Sequence, residues 1–333
     1  MTPSVSIIIP CYNEEKTIHM LLESLLRQSY PLASLEVVIA DGMSTDQTRQ
    51  KISIFQQSHP ELILRVVDNP HRSIPAALNC ALQAAEGQYI IRLDAHSMPQ
   101  DDYIEKCIQA LEEGCGDNVG GVWDIRPGSD SWVAHSIAVA ASHPLAVGDA
   151  KYRYTTKASE VETVPFGAFR RDLVMRLGGF DETLLTNEDY EFNTRIRKNG
   201  GRIWLDPAIR SVYFARSSLN ALVRQYWRYG YWKLRMLRRY PETIRWRQGL
   251  PPVFVLSLII LGLIAPFWVF IRYLLLLEIA VYFLIIIFVG LQLALQKRSI
   301  SFLFGVPLSI ATMQICWGAG FLWSLVTLGR RHT

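Results

Sequence analysis

Short runs of β-branched and aliphatic residues recur through the first hundred positions, each followed by a polar turn and then a helical spacing of apolar residues. Val5–Ile9 is nearly all β-branched and reads as a buried first strand. From Glu15 to Gln28 the apolar residues Ile18, Leu21, Leu22, Leu25 and Leu26 have the spacing of one helix face. Leu35–Ala40 reads as a second strand, and Ser44 with Gln47 three later predicts a capping box opening a helix from Thr45. Ile63–Val67 is a third strand. Ser73 is placed to cap a helix with Pro75 in its first turn, running to Glu86 and stopped by Gly87. Tyr89–Leu93 reads as a fourth strand and Asp101–Glu113 as a further helix.

Strand–helix–strand units of this length predict an α/β fold, a mostly parallel sheet with helices on both faces. Ligands of such sheets bind beyond the carboxyl ends of the strands. Tyr12–Glu14, Asp41, Asp68–Asn69 and Asp94–His96 all follow strand ends, so they are expected to converge on one crevice. No strand is followed by G-x-G-x-x-G, and no G-x-x-x-x-G-K-[ST] occurs. A nucleotide in this crevice would be held by acids and a metal ion rather than by a glycine cradle.

The pattern changes after Gly249, where Leu, Ile, Val and Phe dominate. Val253–Ile271, Tyr273–Leu295 and Phe302–Leu328 each approach the roughly 20 residues that span a bilayer. The second carries Glu278, near enough to its start to reach the interface; the third carries Gly305, Pro307, Gly318 and Gly320. Just before them, Arg216 to Arg247 holds nine Lys or Arg residues against one acid, Glu242, interleaved with Tyr226, Trp227, Tyr229, Tyr231 and Trp232. A basic, aromatic stretch beside apolar spans suits an anionic lipid surface better than a nucleic acid, and favours the cytoplasmic side. Two spans would put Lys297–Arg298 on that side as well. A third would place Arg330–Arg331 opposite, unless that segment is irregular or re-entrant.

Composition adds little to this. Half of the 333 residues are hydrophobic and the net charge is only +4. The five cysteines, Cys11, Cys80, Cys107, Cys115 and Cys316, form no C-x-x-C pair, which argues against a disulfide framework or zinc site and fits a reducing compartment. Ser4–Pro10 is too short for a signal peptide.

Four motifs carry a resemblance. Ser6-Ile7-Ile8-Ile9-Pro10-Cys11-Tyr12-Asn13-Glu14-Glu15, Asp41-Gly42-Met43-Ser44-Thr45-Asp46-Gln47-Thr48, Leu93-Asp94-Ala95-His96 and Asn187-Glu188-Asp189 occur in this order. Together they resemble family 2 glycosyltransferases, which are inverting enzymes with the GT-A nucleotide-diphospho-sugar transferase fold. The similarity runs from about Val5 to Arg235. The Asp-Ala-His variant and the apolar tail resemble most the succinoglycan-type exopolysaccharide transferases.

The resemblance implies a site. Pro10, Tyr12, Asn13 and Glu14 would line the base and ribose, and Asp41 would accept a hydrogen bond from a base N–H or ribose hydroxyl. Asn69 and Arg72 follow the third strand, with Arg72 facing a phosphate or a surface acid; Asn79 matches a frequent family position. Asp94 and His96 stand where the family usually has Asp-x-Asp and would bind a divalent cation, Mn²⁺ or Mg²⁺. Imidazole suits Mn²⁺ better. Asp189 would be the base that deprotonates the acceptor, with Glu188 beside it; acids in a first helical turn are also good helix electrostatics. Gly167 would permit close backbone approach near the sugar. Gln225 and Arg228 resemble, with Tyr229 as the changed last residue, the Gln-x-x-Arg-Trp motif of processive synthases; Arg228 would meet diphosphate or a lipid headgroup.

The expected organisation is a glycosyltransferase domain over 1–215, interfacial helices over 216–249 and a transmembrane region over 250–333. The expected activity is transfer from a nucleotide-sugar, a UDP-sugar foremost, to a lipid-linked saccharide acceptor on the cytoplasmic face of a bacterial inner membrane, in exopolysaccharide or cell-surface glycan synthesis. The bilayer and other polysaccharide-assembly proteins would be its partners. The rivals are a processive synthase, for which three spans are few, and an inactive nucleotide-sugar-binding scaffold.

Overall fold

The computed structural model describes residues 4–327. Its strands are β1 (Val5–Cys11), β2 (Leu35–Asp41), β3 (Ile63–Asp68), β4 (Tyr89–Arg92), β5 (Met98–Pro99), β6 (Asn118–Arg126), β7 (Ser159–Glu160), β8 (Ala168–Arg170) and β9 (Ile203–Phe214). The helices are α1 (Ile18–Leu26), α2 (Thr48–Ser58), α3 (Ile74–Ala84), α4 (Tyr103–Glu112), α5 (Trp132–Ala141), α6 (Pro144–Val147), α7 (Arg171–Arg176), α8 (Glu188–Lys198), α9 (Leu219–Leu237), α10 (Trp246–Ile264), α11 (Val269–Gln296) and α12 (Ser301–Val326). The chain forms two compact units. One joins the described residues up to Asp124 with Lys151–Tyr213; the other joins Ile125–Ala150 with the described residues from Phe214 onward.

The first unit holds one mixed sheet, ordered β3-β2-β1-β4-β8-β6-β9-β5, with β7 on β9. β3, β2, β1 and β4 run parallel. β8 joins β4 and β6 antiparallel, and β5 and β7 join β9 the same way. Alternate residues of the parallel strands face opposite cores, because strand side chains alternate. Ile7, Ile9, Val37 and Ile39 pack with Leu21, Leu22 and Leu25 of α1 and Ile104 and Ile108 of α4. Ile8, Val38 and Ile90 pack with Ala77, Leu78 and Ala81 of α3 and Phe192 and Ile196 of α8. Each fully buried Ile or Leu contributes about 1.5–3 kcal/mol, so both faces anchor the strand ends firmly.

Two helix starts differ from the sequence expectation. α2 begins at Thr48, not Thr45. The Ser44 hydroxyl donates to Asp41 Oδ1 at 2.5 Å instead of capping a helix, and Asp46 Oδ1 accepts the Thr48 N–H at 3.0 Å. α1 begins at Ile18, because Glu15 is drawn aside to accept the Gln47 N–H at 3.1 Å.

In the second unit, α10, α11 and α12 are long and apolar enough to cross a membrane. The break between the first two falls at Ala265–Trp268, not at Arg272 as the charge pattern implied. Pro266 cannot continue the helical ladder. Arg272 lies inside α11 and donates to the carbonyls of Ala265 (2.8 Å) and Pro266 (2.9 Å), satisfying acceptors orphaned where α10 ends. Glu278 accepts from the Ser257 hydroxyl of α10. α12 is one continuous helix despite Pro307, so the irregular third segment is not observed. Leu328 and Arg330–Arg331 lie outside the described residues.

Candidate active site

The strand-end loops of the first unit are fastened to one another. Asn13 Oδ1 accepts the Thr45 N–H (2.8 Å), and the Asn13 N–H donates to Ser44 Oγ (2.8 Å). The Glu14 N–H donates to Thr48 Oγ1 (2.8 Å) and the Glu15 N–H to Asp46 Oδ2 (3.2 Å). The Asp-Gly-Met-Ser-Thr-Asp-Gln-Thr run thus works largely as a lock between the first two loops. Asn13, Met43, Arg72, Phe166 and Asn187 all have positive φ, and each lies in a loop that carries candidate site residues. Such conformations cost about 1–3 kcal/mol for non-glycine residues and persist only where the surroundings over-determine them.

Asp41 is fully buried. Its carboxylate accepts from the Ser44 N–H (3.0 Å), the Ser44 hydroxyl and Arg49 Nε (2.6 Å). It organises the loop and Arg49. Asn69 is also buried; its amide donates to the Ser73 carbonyl (3.0 Å), and its N–H to the Asp41 carbonyl (2.8 Å). Tyr12 is exposed and Pro10 is half-buried at the close of β1. Arg72 is exposed in the turn before α3. Cys11 lies beneath these loops. Burial first, then the charges of Asp41, Glu14 and Asp46, push its thiol far up, so it remains a neutral thiol in a negative field.

Beyond β4, Arg92 gathers the carboxylates. It is only 3% exposed. Its Nη2 donates to Asp94 Oδ1 and to Glu188 Oε1, both at 3.0 Å, and its Nη1 pairs with Asp189. The main-chain N–H of Arg92 donates to the Gly167 carbonyl (3.0 Å). The strand-end Asp94 and the α8 pair Glu188–Asp189, far apart in sequence, meet on one guanidinium. His96 Nδ1 and Glu14 Oε1 lie 3.2 Å apart, joining the ends of β4 and β1. Hydrogen bonds and an ion pair so link Asp41 to Ser44, Ser44 to Asn13, and the neighbouring Glu14 to His96.

Gly167 takes φ +51°, and an added Cβ there would lie 2.5 Å from the Phe169 ring. The close approach that glycine permits is to Phe169 and to Asn118, whose Oδ1 would be 2.7 Å away. Asn79, on α3, exchanges hydrogen bonds with the main chain of Phe180 and so positions the loop leading toward α8. Gln225 and Arg228 lie on α9, in the second compact unit, and Gln225 Nε2 donates to Tyr229 Oη at 3.0 Å.

Sequence reasoning passed over Arg92 and Arg49. The signal for Arg92 was present: a lone cation inside an apolar strand, two residues before Asp94 and hence on the same strand face. Arg49 carried no signal beyond its place early in a helix.

A divalent cation fits the residues present. Asp94 and His96 keep side chains 25% and 39% exposed, with the Glu14 carboxylate beside the imidazole. No three His, Cys, Asp or Glu side chains form a cage among the described residues. This donor set suits an open site whose coordination is completed by ligand oxygens.

A parallel sheet edge that passes into an antiparallel half, with helices on both faces, is the GT-A nucleotide-diphospho-sugar transferase fold. The mannosyltransferase PcManGT from Pyrobaculum calidifontis, solved with GDP-Man and Mn2+, superposes with a TM-score of 0.65 at 22% identity, covering 97% of this chain and 88% of that one. Staphylococcus aureus TarS 1-349 in complex with UDP superposes at 0.51 with 20% identity, covering 77% and 78%. The family described as "Glycosyl transferase family 2" matches residues 6–178. The chain is 31% identical to the succinoglycan biosynthesis protein ExoA of Rhizobium meliloti over 98% of its length and 96% of the relative's. It is 32% identical to a dolichyl N-acetyl-alpha-D-glucosaminyl phosphate 3-beta-D-2,3-diacetamido-2,3-dideoxy-beta-D-glucuronosyltransferase of Methanococcus voltae, over 78% and 82%. The chain belongs to glycosyl transferase family 2 and is a glycosyltransferase.

Proposed function

We propose that the protein is a membrane-anchored inverting transferase. It moves a sugar from a nucleotide-sugar, a UDP-sugar foremost and a GDP-sugar second, to a hydroxyl of a lipid-linked saccharide on the cytoplasmic side of a bacterial inner membrane. The observation that carries this reading is the meeting of Asp94, Glu188 and Asp189 on Arg92. It brings the donor-side strand end and a candidate base into one place. Three apolar helices and the name of the Methanococcus voltae relative, an enzyme acting on a dolichyl phosphate-linked sugar, support a lipid-linked acceptor.

Tyr12, Asn13 and Glu14 line the nucleotide, held by the loop lock that Asp41 and Ser44 anchor. Asn69 shapes the turn that presents Arg72 to a phosphate. Asp94 and His96 would hold Mn²⁺ or Mg²⁺, which when bound neutralises the diphosphate leaving group. Asp189 takes the proton from the acceptor hydroxyl as its oxygen bonds to the anomeric carbon and the nucleoside diphosphate departs; the anomeric centre inverts and no covalent enzyme nucleophile is needed. Glu188 lies beside that base, and Gly167 fixes the main chain of Arg92.

The test uses the purified full chain with radiolabelled UDP-glucose, UDP-galactose, UDP-N-acetylglucosamine, UDP-glucuronic acid and GDP-mannose, with membrane lipid extract and Mn²⁺ or Mg²⁺. One donor should label a lipid. Asp189→Asn should lower transfer by roughly 10²–10⁴-fold and leave UDP or GDP binding intact. Transfer from none of these donors, or an unaffected Asp189→Asn enzyme, refutes the reading; an inactive scaffold would give the first result, with UDP or GDP binding unchanged by Asp189→Asn.

A further inference from the structure

We propose that Arg92 is a positioning residue for transfer: one buried guanidinium that sets the distance and orientation between the donor-side Asp94 and the base pair Glu188–Asp189. The proposal rests on the reading of Asp189 as the base. It adds to that reading a residue which touches neither donor nor acceptor.

Four observations support it. Arg92 is the last residue of β4 and is 3% exposed, in a strand whose other members, Tyr89, Ile90 and Ile91, are apolar and buried. A cation in such a place is costly to desolvate and is retained only with partners. It has three: Asp94, Glu188 and Asp189. These partners come from two segments, the β4 end and the first turn of α8, which is entered through Asn187 at φ +70°.

The backbone of Arg92 is itself fixed. Its N–H donates to the carbonyl of Gly167, a glycine that admits no Cβ. The guanidinium therefore projects from a rigid strand, and the carboxylates arrange themselves around it.

Three carboxylates converging without a cation would repel, and the first turn of α8 would swing Asp189 away from Asp94. One guanidinium offsets one of the three charges and leaves the cluster still anionic, which suits a metal-bound donor. Geometry matters as much as charge. A planar fork contacts several carboxylates at fixed angles, whereas a lysine ammonium is a point charge that serves fewer.

The experiment compares Arg92→Lys and Arg92→Met with wild type in the full chain, using the donor that labels lipid in the panel above. Arg92→Met should lower kcat by about 100-fold or more, within the range associated with a misplaced proton acceptor. Donor KM should change by much less than kcat, about 3-fold, since Tyr12, Asn13 and Glu14 hold the nucleoside without Arg92, which reaches the donor side through Asp94 alone. Arg92→Lys should remain folded and recover less than about 10-fold of the lost kcat, because it restores charge without the fork.

Hydrogen exchange supplies the readout that separates this proposal from its parent. Amides 188–191 should exchange faster in Arg92→Lys, while those of β1 and β2 stay protected. This measurement holds even where wild type labels no lipid from any donor, an outcome that would count against Asp189 as base and not against Arg92 as organiser. A folded Arg92→Lys enzyme with wild-type kcat, a change confined to KM, unchanged exchange over 188–191, or global unfolding of both variants would each overturn the proposal.

Discussion

Arg49 donates its Nε–H to Oδ2 of Asp41 across 2.6 Å, and its other arm pairs with Asp68, so one side chain closes the ends of β2 and β3. Asp41 is fully buried while Arg49 is 43% exposed. Arg49→Met would leave Asp41 with only its Ser44 hydrogen bonds. Removing one partner of a fully buried pair costs about 3–5 kcal/mol, and the exposure of this guanidinium reduces that to about 2 kcal/mol. Thermal unfolding should record the loss. The donor KM should rise as well, because Ser44, which Asp41 holds, also receives the Asn13 N–H. An unchanged melting temperature would mean that Asp41 is held by Ser44 alone.

Glu36 makes the corresponding arrangement at the other end of β2, and it gives a pH prediction. The side chain is fully buried. Burial alone would raise its carboxyl pKa. Hydrogen bonds from the Ser6 hydroxyl, the Glu86 N–H and Arg65 outweigh burial and hold it below its ordinary 4.5. A carboxyl with a lower pKa folded than unfolded contributes stability above the unfolded value, and that contribution fades as pH falls through the folded one. Glu36→Gln should therefore be less stable than wild type at pH 7, by about 2 kcal/mol for a lost set of charge-assisted hydrogen bonds. The gap should narrow as pH drops below about 4.5, the ordinary value. Denaturant unfolding at pH 7 and pH 4 reads this directly, and a gap that widens on acidification would contradict it.

The parallel strands were legible because Val5–Ile9, Leu35–Ala40 and Tyr89–Leu93 are short, β-branched and followed by acids. The antiparallel half was not. β5 and β7 are two residues each and β8 is three, too short to carry a period of their own, and they are strands only because β9, β4 and β6 pair with them. Helix starts shifted where a polar side chain found a distant partner that local spacing could not reveal. Ser44 has the pattern of a cap and serves Asp41 instead. The grouping of Ile125–Ala150 with the C-terminal helices was equally hidden: α5 reads as an ordinary apolar helix, and its Ser136 packs where Gly305 of α12 leaves room. The candidate acids stood out in sequence as motifs, whereas the buried arginine they share was marked only by its being a lone cation in an apolar strand.

His96 occupies the position at which the family resemblance leads one to expect a carboxylate, and it lies 3.2 Å from Glu14. An imidazole at the second ligand position favours Mn²⁺ over Mg²⁺, which prefers oxygen. Chelation with EDTA should abolish transfer, and Mn²⁺ should restore it better than Mg²⁺. His96→Asp should move the preference toward Mg²⁺ by about 10-fold, the lower end of what ligand-shell changes produce. It should also place a second carboxylate against Glu14, so some loss of melting temperature is expected before metal is added. Transfer rates across Mn²⁺ and Mg²⁺ titrations would check this. Full activity in EDTA would rule out the metal site itself.

Helices α9 and α12 approach each other through glycines. A Cβ on Gly230 would lie 1.9 Å from the Trp317 carbonyl oxygen, and one on Gly320 would lie 2.3 Å from that of Trp227. Both obstacles are backbone, so neither can move aside as a flexible side chain would. Only by separating the helices can the chain accept Ala at these positions, which opens gaps along the seam where Gly230 meets Trp317 and Gly320 meets Trp227. Gly230→Ala and Gly320→Ala should each destabilise by about 2–3 kcal/mol, the range of core overpacking. The double variant should cost less than the sum, because one separation relieves both clashes. Thermal unfolding of detergent-solubilised protein gives all three values. Carbonate extraction from membranes should be unaffected, since α10 and α11 keep their apolar surfaces. Additive losses in the double variant would show that the two contacts yield independently and that the helices do not move as a unit.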